Sequence, residues 1–153
     1  MLREGHVGKQ NIPVVCVIVE GGTNTIRTVV EYITEEPPVS VVVIDGSGRA
    51  ADLIAFTYRH TQPDGYLTFI NSIKRLSSTF FLFKRTMLPE LREELLNAIE
   101  KVFNYNRRQA ETVYVELMLC MRKRQYITIY RMDDDDSIEQ EDVDQAILRT
   151  LLR

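Results

Sequence analysis

From Ile12 to Val19 the chain is an almost unbroken β-branched run, IPVVCVIV, with no alternation of apolar and polar positions. A strand covered by helices on both faces has that pattern, whereas a half-solvated strand alternates. Glu20-Gly21-Gly22 ends the run. The next apolar positions, Ile26, Val29, Val30 and Ile33, fall on one face of a helix that Thr23 is placed to cap. Pro37-Pro38 stops this helix, and Val39 to Ile44 repeats the buried-strand pattern. Asp45-Gly46-Ser47-Gly48 closes the second strand. Arg49 to His60 then reads as a helix with Leu53, Ile54 and Phe56 available for packing.

Strand, glycine turn and helix, repeated once with short connections, is the βαβ signature of an α/β fold built on a parallel sheet. Right-handed crossovers place both glycine turns on one sheet edge, at the carboxyl ends of neighbouring strands. Open α/β sheets bind ligands at that edge.

Beyond Thr61-Gln62-Pro63-Asp64-Gly65 the pattern breaks. Residues 67–86 hold an apolar cluster, Phe80-Phe81-Leu82-Phe83, that fits neither the helical nor the strand period. Pro89 then opens a helix to Phe103, with Leu91, Leu95, Ile99 and Val102 on one face. Asn106 and Gln109 have capping-box spacing for a second helix, from Arg107 to about Lys123, whose Val113, Leu117, Cys120 and Met121 face inward. Tyr126 to Tyr130 reads as a short third strand and Asp133 to Asp136 as a solvated loop. Glu141-Asp142-Val143-Asp144 puts acids at the start of a last amphipathic helix, which runs into Arg153 without a cap or stop signal.

Composition narrows the function classes. The 153 residues are 44% hydrophobic, enough for the core of one domain, and the net charge of -3 gives no overall basic footprint for nucleic acid. Basic residues gather at Arg107-Arg108 and at Arg122-Lys123-Arg124, as solvated helix ends or as a phosphate patch. No apolar run approaches the roughly 18–20 residues of a bilayer span, and the first residues lack the apolar segment of a secretory signal. Cys16 and Cys120 lie within apolar runs and read as buried thiols. His6 and His60 stand apart from any ligand spacing, so no metal site is expected.

The two turns carry the candidate chemistry. At Gly21-Gly22 and Gly46-Ser47-Gly48 a ligand can approach the backbone closely, because glycine has no Cβ. The N–H groups at the following helix starts then offer donors and partial positive charge to an anion. Arg49 would add a fork of donors suited to phosphate, and Asp45 could accept from a ribose hydroxyl. With Thr23, the candidate ligand-binding set is Gly21, Gly22, Thr23, Asp45, Gly46, Ser47, Gly48 and Arg49. Either turn is equally readable as a tight connection with no ligand. No catalytic residue is assigned: Glu20 and Asp45 form a carboxylate pair at strand ends without an accompanying base, and Ser47 lacks nucleophile-elbow spacing.

The stretch IPVVCVIVEGGTNTIRTVVEYITEEPPVSVVVIDGSGRAADLIAF resembles the cytosolic SLOG domain of TRPM (melastatin-type transient receptor potential) cation channels. The VEGG turn, the Pro-Pro before the second strand and DGSGRAAD carry the resemblance. It resumes at LREELLNAIEKVFNYNRRQAE, continues through ELMLCMRKRQYITIYRM and ends in EDVDQAILRTLLR.

The resemblance implies a Rossmann-like fold, divided as follows. The later part of the SLOG domain is expected over 1–66, an atypical insertion over 67–86, and the remaining SLOG helices and last strand over 87–132. An acidic loop and the first helix of an ankyrin-like region are expected over 133–153. The resemblance also implies a non-enzymatic part of a homotetrameric cation channel, calcium-permeable or monovalent-selective, at the cytosolic face of the plasma membrane. In this reading the chain itself makes no membrane or nucleic-acid contact. An ADP-ribose-type nucleotide is the ligand implied for the glycine crevice.

The sequence departs from the family in three respects. Family members carry further strands and a first glycine-rich turn before the IPVV strand, and they carry transmembrane and coiled-coil parts. Residues 67–86 have no family counterpart. Thr68 to Lys84 is either a translated retained intron, its Phe- and Leu-rich stretch reflecting a pyrimidine tract, or a lineage-specific loop. A sheet that begins at an interior strand would leave an apolar edge uncovered and the chain poorly stable.

SLOG relatives also include the LOG phosphoribohydrolases, whose Pro-Gly-Gly-x-Gly-Thr-x-x-Glu turn positions a catalytic carboxylate. Aligned on Gly21-Gly22, the acid position here is Thr28, so that enzyme reading lacks its acid. A third reading is an interaction module whose crevice binds nothing.

Overall fold

The computed structural model describes residues 13–61, 87–132 and 143–152. The expectations for residues 67–86 and for the loop at Asp133 to Asp136 lie outside the described residues. The elements are β1 (Val15–Ile18), α1 (Thr25–Thr34), β2 (Ser40–Asp45), α2 (Arg49–His60), α3 (Pro89–Phe103), α4 (Arg107–Arg122), a 3₁₀ turn (Arg124–Tyr126), β3 (Ile127–Arg131) and α5 (Val143–Leu151).

The strands form one parallel sheet in the order β1-β2-β3, with Cys16 beside Val41 and Val43 beside Ile129. This is the expected parallel α/β architecture. β2 is central and buried from Val41 to Asp45, as its unbroken apolar run requires. Along it, successive side chains point to opposite faces. Val41 and Val43 enter the main core with Ile26, Val29 and Ile33 of α1, Leu53 and Ile54 of α2, Leu95, Leu96 and Ile99 of α3, and Leu117 and Met121 of α4. Val42 and Ile44 are also buried but stand outside that cluster. They belong to the opposite face, where α5 lies over the sheet with Ala146 and Thr150 buried. The Thr150 and Thr128 hydroxyls meet there at 3.1 Å.

Local signals set most boundaries. Pro89 occupies the first turn of α3, and Asn104, at φ +54°, closes it in a left-handed cap. The Asn106–Gln109 capping box forms as expected, with both hydrogen bonds at 3.0 Å. Ile26, Val29 and Ile33 are fully buried, each contributing about 1.5–3 kcal/mol of apolar transfer.

Four expectations need correction. Thr23 is not the cap of α1: the cap position is Asn24, which makes no side-chain capping bond, because the chain first turns through a Gly22 carbonyl–Thr25 amide contact of 3.2 Å. β1 is shorter than Ile12 to Val19 and is not covered on both faces. Val17 within it is 39% exposed, and Val14 and Val19, which flank it, are 63% and 61% exposed. Val102 is exposed, and Leu96 and Phe103 complete the inner face of α3 instead. Tyr126 belongs to the 3₁₀ turn, so β3 starts at Ile127.

Candidate functional site

Because β1 and β2 are parallel neighbours, Gly21-Gly22 and Gly46-Ser47-Gly48 emerge side by side at one sheet edge. Both turns need left-handed backbone. Glu20 and Gly21 have φ of +55° and +91°, and Gly46, Gly48 and Arg49 have φ of +93°, +101° and +51°. At Gly21 space is limiting as well, since a Cβ would lie 2.7 Å from Thr25 Cγ2. Glu20 and Arg49 hold a conformation that L-residues adopt only where their surroundings enforce it.

Those surroundings are the other turn. The Glu20 amide donates to Ser47 Oγ at 2.8 Å, and the Ser47 hydroxyl donates in turn to the Ile44 carbonyl at 2.7 Å. In the reverse direction the Ala51 amide donates to the Glu20 carbonyl at 2.8 Å and the Ala50 amide to the Gly21 carbonyl at 3.4 Å. The first turns of α2 are thereby satisfied by carbonyls of the β1 turn. The Gly46 and Gly48 amides both donate to Asp52 Oδ1, at 2.8 and 3.0 Å.

The eight candidate residues therefore stand in different situations. The Asp45 side chain is mostly buried and its carboxylate is paired with the Arg59 guanidinium. Ser47 is engaged through both its lone pair and its proton. Arg49 is exposed, and its guanidinium has no partner among the described residues. Thr23 lies apart from the second turn, on the wall of a shallow cleft of about 210 Å³ between the start of α1 and α4, with Asn24, Arg27, Tyr105, Gln109 and Glu116. Burial pushes the Glu116 carboxyl above its ordinary range; Arg27 opposes the shift and Glu31 adds to it.

Sequence reasoning missed Asp52 and Arg59. Asp52 had a readable signal, an acid in the first turn of a helix following a glycine turn. Arg59, fourteen positions from Asp45, had none. Thr28, at the acid position of the hydrolase turn, directs its hydroxyl to the Asn24 carbonyl at 3.1 Å. Among the described residues no group of three or more His, Cys, Asp or Glu is placed to hold a metal, and no helix is long and apolar enough to cross a membrane.

An open parallel α/β layer with paired glycine turns at the carboxyl edge of its strands defines a Rossmann-like domain. A family model described as SLOG in TRPM matches residues 2–83. The chain is 40% identical over 141 residues to the transient receptor potential cation channel trpm of Drosophila melanogaster, which covers 92% of this chain and 6% of that protein. It is 39% identical over 145 residues to the Homo sapiens subfamily M member 6 channel, covering 95% of this chain and 6% of that protein. Against Homo sapiens subfamily M member 7 it is 37% identical over 145 residues, 94% of this chain and again 6% of the channel. The chain belongs to the SLOG family of TRPM channels, and it spans about 6% of the length of these relatives.

Proposed function

We propose that this chain is a non-catalytic regulatory module on the cytosolic side of a TRPM-type, calcium-permeable cation channel, and that it acts through contacts with other subunits of a homotetramer. The observation that carries this reading is the apolar surface of β1. Val17 within the strand and Val14 and Val19 flanking it remain exposed, and the strand pairs on one side only among the described residues. Exposed apolar side chains close together in the chain offer a contact site, and an open strand edge favours pairing with another chain. The interlocked glycine turns support the same reading, since turns that hold each other in place suit a rigid contact element.

The test is made in the channel that carries this segment. Val14→Asp and Val19→Asp, both at well-exposed positions, are expected to shift the tetramer band on native gels towards smaller species. A full tetramer with unchanged surface expression would count against the contact reading.

A second reading, an ADP-ribose-type nucleotide held at Gly21, Gly22, Thr23 and Arg49 with Asp45 and Gly46 to Gly48 alongside, is favoured by the exposed Arg49 guanidinium, which has no partner among the described residues. Calorimetric titration with ADP-ribose, on the unaltered region and on Arg49→Ala, decides it. Binding heat that disappears in the variant supports nucleotide sensing. No heat in either leaves a contact module alone.

A further inference from the structure

We infer that Asp52 is a built-in anion that closes the second glycine turn to phosphate-bearing ligands. Amides of successive residues around a positive-φ glycine form a concave nest that ordinarily takes an anion, and here Gly46 and Gly48, at φ +93° and +101°, form one. Its donors converge on a single oxygen of the chain's own carboxylate, Asp52 Oδ1, at 2.8 and 3.0 Å.

The donors around it are spoken for as well. The Ser47 amide donates to the Ile44 carbonyl at 3.3 Å, the Ala50 and Ala51 amides to Gly21 and Glu20, and the Asp52 amide to the Gly48 carbonyl at 3.4 Å. A phosphate entering this turn meets a carboxylate where it needs donors, and it gains neither the Gly46 nor the Gly48 amide unless that carboxylate leaves. Asp52 is therefore a specificity-determining residue of the sheet edge. If a nucleotide binds, its phosphates are directed away from Gly46 to Gly48 and towards the first turn and Arg49. The inference bears on the nucleotide reading and is independent of the subunit-contact reading, which native gels test separately.

Inorganic pyrophosphate is the probe, and the readout is the amide resonances of Gly46 and Gly48 in the ¹⁵N-labelled chain. In the unaltered protein these two resonances are expected to stay in place at millimolar pyrophosphate. In Asp52→Asn, which keeps the shape and one oxygen acceptor but loses the charge, they are expected to shift to saturation, with affinity about a hundredfold higher, the order expected for removing one like charge at close range. Saturating shifts of Gly46 and Gly48 in the unaltered chain at the same concentration as in the variant would overturn the inference. So would a folded Asp52→Asn protein whose two resonances ignore the probe.

A measurement without any variant stands beside it. Scalar couplings through the hydrogen bonds from the Gly46 and Gly48 amides to the Asp52 carboxyl carbon are expected in the unaltered chain, and their absence overturns the inference even if Asp52→Asn fails to fold.

Discussion

Ser47 and Glu20, separated by 27 positions, join the two glycine turns: the Glu20 amide donates to the Ser47 hydroxyl at 2.8 Å. The same hydroxyl donates to the Ile44 carbonyl at 2.7 Å, so one side chain ties the ends of β1 and β2 together. Ser47→Ala removes both bonds and leaves the Glu20 amide without its acceptor in a left-handed turn. The expected loss is about 1–2 kcal/mol, read as a lower urea midpoint with unchanged slope. A midpoint equal to the unaltered chain would mean that the turns hold together without this link.

The order of elements was legible because each carried its own signal. The unbroken valine run of β2 required a buried central strand. Pro89 and the Asn106–Gln109 pair marked helix starts where the structure has them. What the sequence could not reveal depended on neighbours. The IPVVCVIV run looks as buried as β2, yet Val14, Val17 and Val19 of that run are exposed, since exposure is decided by what packs against a segment. Thr23 has the chemistry of a cap, but the turn through Gly22 moves the helix start to Thr25. At the site, glycine positions were readable from composition. The destination of their amides was not, because it depends on Asp52 and Ser47 reaching across turns.

Leu117 is fully buried on α4 in the main core, which also holds side chains from α1, α2 and α3. Leu117→Ala leaves a cavity in that core. The expected cost is about 2–5 kcal/mol, a large part of the stability of a small domain. Chemical denaturation followed by far-ultraviolet circular dichroism gives the value, and a loss below about 1 kcal/mol would show that α4 is less tightly packed than described.

Thr28 stands where the phosphoribohydrolase turn pattern would need its carboxylate, and its hydroxyl is bonded to the Asn24 carbonyl. A hydroxyl in that state can neither protonate a leaving base nor stabilise a developing cation as a carboxylate does. Incubation with a nucleoside monophosphate is therefore expected to release no free base above a protein-free control, measured by chromatography. Release well above that control would revive the enzyme reading.

Cys120 is fully buried in the core, and burial pushes its thiol up to about 12 from an ordinary value of 9.0; the neighbouring Glu116 charge adds to the shift. The folded state thus disfavours the thiolate. Since the folded value lies above the unfolded one, the stabilisation is fully present below about pH 9 and is lost as pH rises from there through about 12. Thermal midpoints should therefore fall with increasing pH across that window, and the fall should shrink in Cys120→Ala after allowance for the variant's lower starting stability. At neutral pH, native Cys120 should react with a disulfide reagent only through opening of the core. Half-buried Cys16, whose thiol is also raised by burial, should react first. Equal rates for the two thiols, assigned by peptide mapping, would place Cys120 at a surface the structure does not give it.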